Sequence, residues 1–144
     1  LSAYSLYLDR NRGELLFRAT DANHHFACPG ILEAVLQPGV WHHVVGVYDG
    51  AATPGAGRSS IYLDGRLQDT HVGADASPGL GLTQPVLPGQ FAALGRRGDQ
   101  DEFYFPGILD DIALWRRPLS PAEIVRIHAS GSEHIPLDGI KDGP

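Results

Sequence analysis

The sequence predicts an all-β fold, and three observations carry that prediction. Its 18 glycines and 11 prolines are scattered along the chain, punctuating short apolar runs roughly every eight to twelve residues, the spacing of a sandwich or barrel. Several of those runs alternate apolar and polar residues, the period of a strand whose successive side chains point to opposite faces. Between two of them lies Asp64-Gly65, a pair whose tolerance of positive φ suits a type I′ hairpin turn. With 144 residues the chain fits one domain and one hydrophobic core, burying about two-thirds of the surface that its unfolded form exposes.

Taken in order, Ser2 to Asp9 alternates Tyr4, Leu6 and Leu8 against Ser5 and Tyr7, a strand, and Glu14 to Thr20 is its hairpin partner across a loop ending in Gly13. Asp21 to Gly30 reads as a loop or short strand. It holds His24, His25 and Cys28, but adjacent histidines on an extended chain face opposite ways and no second ligand pair follows at zinc-site spacing. Ile31 to Leu36 is a further apolar run closed by Pro38-Gly39. The β-branched valines and aromatic ends of Trp41 to Asp49 make a strong strand. Gly46 inside it signals a bulge or a close neighbour.

Asp49 to Ser59 is a small, polar loop, and Ser60 to Gln68 is the hairpin around Asp64-Gly65. Gly73 to Gly89 reads as an irregular connection, long enough to serve as a binding loop. Gln90 to Arg96 resumes as a strand, with Phe91, Ala93 and Leu94 as inward candidates. Near the end, Ser120-Pro121-Ala122-Glu123 has every part of a helix start: a capping serine, proline at the first position and the glutamate of a capping box. Ile124 and Ile127 then share one face, and Gly131 is the expected terminator. The sandwich is thus expected over residues 1–131, with 132–144 a tail or linker.

Pro106 to Trp115 predicts a buried strand that carries an acid where an apolar residue belongs. Ile108, Asp110, Ile112 and Leu114 share one face, and Leu109, Asp111, Ala113 and Trp115 the other. An unpaired carboxylate removed from water costs several kcal/mol. Asp110 is therefore expected to meet a cation such as Ca²⁺, to accept backbone N–H groups at a sheet margin, or to be protonated. Just before it, Asp99, Asp101 and Glu102 precede Phe103, Tyr104 and Phe105. Acids beside aromatics suit Ca²⁺ oxygens next to a stacking platform for a sugar, with Asp99, Asp101, Phe103 and Tyr104 as the candidate ligand-binding set. They equally suit an ordinary solvated acidic turn, and the spacing is not that of an EF-hand loop.

The net charge of −6, with Arg96-Arg97 and Arg116-Arg117 as isolated pairs, argues against a nucleic-acid partner, which wants a clustered basic face. No apolar run is long enough to span a membrane as a helix, and no signal peptide is visible. The single cysteine allows no intrachain disulfide and leaves the redox compartment open. The chain opens at Leu1 and contains no methionine, which reads as a processed product or an excised piece of a longer polypeptide.

The Trp-His-His-Val-Val-Gly-Val-Tyr-Asp strand at 41–49, Ile-Tyr-Leu-Asp-Gly at 61–65, Phe-Pro-Gly-Ile-Leu-Asp-Asp-Ile-Ala-Leu-Trp at 105–115 and Leu-Ser-Pro-Ala-Glu-Ile at 119–124 together resemble the laminin G-like, concanavalin A-type jelly-roll family. The resemblance spans roughly Tyr4 to His128 and implies a two-sheet antiparallel jelly-roll sandwich with one short C-terminal helix. It further implies an extracellular or periplasmic location, a glycan or protein ligand, and often a structural Ca²⁺, for which Asp110 matches the ligating acid. Family members usually open with a strand of the type Phe-Thr-Ile-Ser-Ala-Trp before the segment matching Tyr4 to Asp9. This chain has no room for it, so the expectation is that another chain, or a removed part of the same precursor, supplies that strand.

Three functions compete. The first is a non-catalytic binding module of a larger secreted protein, with carbohydrate as the most natural ligand. The second is a structural or assembly domain that packs on a partner chain or a catalytic domain. The third, a glycoside hydrolase, needs two carboxylates converging on one bond about 5 Å apart. Asp110 and Asp111 diverge to opposite faces, Asp99, Asp101 and Glu102 lie in a turn, and no triad is suggested, so no catalytic residue is assigned.

Overall fold

The computed structural model describes residues 4–21, 23, 25–50, 59–72, 94–95 and 104–133. Strands β1 (Tyr4–Asp9) and β2 (Glu14–Thr20) form the expected hairpin, in register from Tyr4 opposite Ala19 to Asp9 opposite Glu14. Asp9 closes the loop: its Oδ1 accepts the N–H groups of Asn11 and Arg12 at 3.1 and 3.3 Å, and Arg12 Nε lies 3.8 Å from Oδ2. An acid at a strand end thus serves as a turn former.

Short strands β3 (Phe26–Ala27) and β4 (Pro29–Leu32) both pair with β2, and a 3₁₀ turn over Glu33–Val35 follows. Strands β5 (Val44–Tyr48), β6 (Ser59–Leu63) and β7 (Arg66–Leu67) make a second sheet in that order. A two-residue strand, β8 (His71–Val72), returns to the first sheet beside β4. All the pairings are antiparallel. Between β6 and β7, Asp64 and Gly65 take φ of 50° and 76°, the paired left-handed conformations of the expected type I′ turn.

The two sheets enclose a core of Leu8, Leu15, Phe17, Ile31 and Ile61, flanked by Leu36, Val44 and Tyr48. Phe17 projects from β2 against Gly46 of β5, where a Cβ would stand 2.6 Å from the ring Cγ. Gly46 is therefore a site of close approach, the second of the two meanings that a strand glycine carries.

On the other face of β5 and β6, Tyr62, Val45 and Val47 are covered by Trp115, Leu119, Ile124 and Ile127. The last two belong to α1 (Pro121–Ser132), whose capping box is complete: Glu123 N–H donates to Ser120 Oγ and Ser120 N–H donates to Glu123 Oε2. Arg117 adds two guanidinium contacts to Glu123, at 2.6 and 3.0 Å. Twelve residues are too few to hold a helix alone in water. Burying each isoleucine, worth about 1.5–3 kcal/mol relative to exposure, anchors it on the sheet. The helix runs past Gly131 and stops at Glu133, whose N–H reaches the carbonyls of Ala129 and Ser130.

The architecture is a two-sheet antiparallel β-sandwich with one C-terminal helix. Besides the helix end, two more expectations about these elements need correction. Residues 106–115 form no strand, and Leu94, expected inward, is exposed beside Gly95 at φ 74°. The rest of the expected strand at 90–96, the 73–89 connection and the 132–144 tail beyond Glu133 lie outside the described residues. No helix among the described residues is long and apolar enough to cross a membrane.

Candidate functional site

Residues 104–114 cross the surface outside any strand and, among the described residues, join neither sheet. Phe105 N–H bonds to Gly95 O at 2.8 Å, and Trp115 and Leu119 are packed into the layer beneath α1. Between these anchors Ile108 is 77% and Leu114 88% exposed, and Tyr104, Phe105, Leu109 and Ile112 are exposed as well. The segment has a strand's composition but no strand beside it among the described residues, and side chains of both its rows are exposed.

Asp110 is exposed too, which overturns the expectation of an inward acid. The physical reason is local. Its Oδ1 accepts the N–H of Asp111 at 2.9 Å, and Asp111 takes φ 48°, a left-handed turn that aspartate tolerates better than most residues. That turn breaks the alternation that would have carried Asp110 inward. Of its possible partners, the one among the described residues is this backbone amide.

Tyr104 shares the exposed segment with Asp110, whereas Asp99, Asp101 and Phe103 lie outside the described residues. Among the described residues no three His, Cys, Asp or Glu side chains converge to hold a metal ion. Those side chains do not by themselves fit Ca²⁺, which takes six to eight oxygens. An ion at Asp110 needs carbonyl oxygens or acids drawn from elsewhere, such as Asp99 and Asp101.

The deeply buried acid is a different one. Asp21, with no exposed surface, accepts the N–H groups of Asn23 and His25 at 2.8 and 2.9 Å and sits 3.2 Å from His25 Nδ1, while its own N–H bonds to His25 O. The turn after β2 is wound around this carboxylate. Its sequence signal was an aspartate just after a strand, the position from which an Asx side chain captures N–H groups ahead of it.

A second polar constellation joins the start of β5 to the β6–β7 turn. His42 Nε2 accepts the Gln37 N–H at 3.1 Å, so its proton resides on Nδ1 and is donated to Asp64 Oδ2 at 2.9 Å. Asp64 Oδ1 accepts the His43 N–H, and Asp64 N–H returns to His43 O. Hydrogen bonds from His42 and the His43 amide hold the Asp64 carboxyl below its ordinary value, although burial, the largest single influence, acts the other way. His43 is held below the ordinary imidazole value, first by burial and then by His128, against the pull of Asp64. With both imidazole nitrogens of His42 engaged, this pair ties a turn down and leaves no free base for catalysis.

A laminin G family model, described as the concanavalin A-like lectin/glucanases superfamily, matches residues 2–125. The human adhesion G protein-coupled receptor D2 is 35% identical over 106 residues, which is 68% of this chain and 10% of the receptor. The chain thus corresponds to about a tenth of that relative's length. No solved structure matches the chain.

Proposed function

The chain belongs to the laminin G-like branch of the concanavalin A-like lectin/glucanase superfamily, and from that premise we propose that it is a non-catalytic binding module of a larger extracellular or periplasmic protein, receiving its partner along residues 104–115. The observation that carries this reading is the row of large apolar side chains, Tyr104 to Leu114, held open between two anchored ends. Contiguous exposed apolar surface marks interaction sites. Residues 106–114 join no strand among the described residues, and such a segment offers main-chain hydrogen bonds to an incoming strand, the mode in which pockets for alternate side chains give specificity. The partner class is a protein segment in extended form, supplied by another chain or by another part of the precursor, such as the Phe-Thr-Ile-Ser-Ala-Trp type of strand with which related sandwiches open.

Carbohydrate is the second reading, favoured by the exposed Tyr104 ring, since an aromatic face is a natural platform for a sugar. The aliphatic row from Ile108 to Leu114 suits a protein better, because a sugar offers it mostly hydroxyls to desolvate. The human relative is named as an adhesion receptor, which agrees with a module that holds partners together. A glycan array run with and without Ca²⁺, beside solution mass and a search for co-purifying chains, separates the two. Glycan binding lost on Tyr104→Ala supports the sugar, and a complex lost on Ile112→Ser supports the protein segment.

A further inference from the structure

We propose that the contact between His43 and His128 is an acid-sensitive latch, which holds α1 on the second sheet at neutral pH and loosens it as the pH falls from about 7 to about 5. The two rings lie 5.7 Å apart, inclined at 31°. His128 comes from α1, and its ring covers the type I′ turn so closely that a Cβ on Gly65 would stand 3.3 Å from Nδ1. His43 is the residue before β5, and its Nδ1 is buried with no hydrogen-bond partner among the described residues. The latch thus joins the helix, β5 and the β6–β7 turn at a single point.

The titratable and charged groups on these elements are His42 and His43 before β5, Asp64 in the turn, Arg66 on β7, and Glu123, Arg126, His128 and Glu133 on or just beyond α1. Glu123 is engaged by Arg117 and Ser120. Asp64 is the acid that attracts charge toward His43, but its two oxygens already serve the His42 ring and the His43 backbone. Protonating both rings sets two positive charges on rings 5.7 Å apart, where the buried His43 Nδ1 has no acceptor among the described residues.

The direction follows from linkage. His43 holds its proton less readily in the closed state than its ordinary value of 6.5, with burial the first cause and His128 the second. The opened state therefore binds more protons as the pH drops below about 6.5, and acid favours opening. Above that range both states are neutral and the latch is at full strength.

The test is amide hydrogen exchange on the full chain at pH 7 and pH 5, corrected for intrinsic rates, with the amides of Ile124 to His128 read against those of β1 and β2. The opening constant of α1 should rise roughly threefold or more, the factor expected for two unit charges at this separation even with water-like screening. His43→Gln should abolish the rise, and His128→Gln should reduce it to the part that the burial of His43 sustains. A parallel titration of the His43 imidazole resonances, in the wild-type chain and in His128→Gln, should show the His43 midpoint rising when His128 is replaced. Helix opening that ignores pH, a rise that persists undiminished in His43→Gln, or a His43 midpoint that does not move when His128 is replaced would overturn the latch.

Discussion

The Phe17 ring on β2 occupies the space that a side chain at Gly46 of β5 would fill, and through this pair the two sheets approach each other. Gly46→Ala should destabilise the domain by about 1–3 kcal/mol, the usual cost of overpacking a well-filled core. Chemical denaturation should show a lower urea midpoint with an unchanged slope. Phe17→Leu in the same chain should recover part of the loss, since contacting residues are energetically coupled.

Two aspartates that look alike in sequence should respond in opposite ways. Removing Asp21 strands the N–H groups of Asn23 and His25 in a buried turn, so Asp21→Ala should cost about 3 kcal/mol, the lower range for breaking a buried polar pair. Removing Asp110 from the exposed segment should change stability by no more than about 0.5 kcal/mol. Thermal melts of the two variants check both values.

The cap of α1 predicts a pH dependence separate from that of the histidine latch. Glu123 is pulled down to about 2, first by the Arg117 hydrogen bonds and then by Ser120. Its folded value lies below its unfolded one, so its contribution is complete above about pH 4.5 and is lost as the pH falls toward 2. Glu123→Gln should flatten the fall in helix signal over that window, read by circular dichroism, and leave the behaviour above pH 5 unchanged. Ser120→Ala should cost about 1 kcal/mol at neutral pH.

Replacing Ile108 and Ile112 by serine should leave the melting temperature of the isolated chain within a few degrees of wild type, because both are exposed. The same pair of changes should weaken capture of an extended protein segment by at least tenfold, measured by calorimetric titration. Loss of folding with those serines would place the two isoleucines in the core and contradict the exposed surface.

What the sequence revealed was local, and what it hid depended on distant partners. The β1–β2 hairpin, the Asp64-Gly65 turn and the Ser120 to Glu123 cap each draw their geometry from a few adjacent residues, and each stands where the pattern placed it. The alternation over 106–115 describes a strand only where a neighbour pairs with it, and among the described residues none does. The left-handed turn at Asp111 leaves no mark in the hydrophobic pattern. Asp21 escaped notice because it sits in a turn, outside any strand row in which an acid looks misplaced. The His42–Asp64 pair joins residues 22 apart, and no local signal connects them. The exposed surface at 104–114 was legible only as aromatics and isoleucines, whose direction the sheet partners decide.

The most direct measurement is amide hydrogen exchange over residues 106–115, with and without a synthetic peptide carrying the Phe-Thr-Ile-Ser-Ala-Trp strand. If this surface receives an extended segment, those amides exchange rapidly in the isolated chain, become protected when the peptide is added, and stay unprotected in the Ile108→Ser, Ile112→Ser variant. Amides already protected in the isolated chain, or indifferent to the peptide in large excess, would contradict the account.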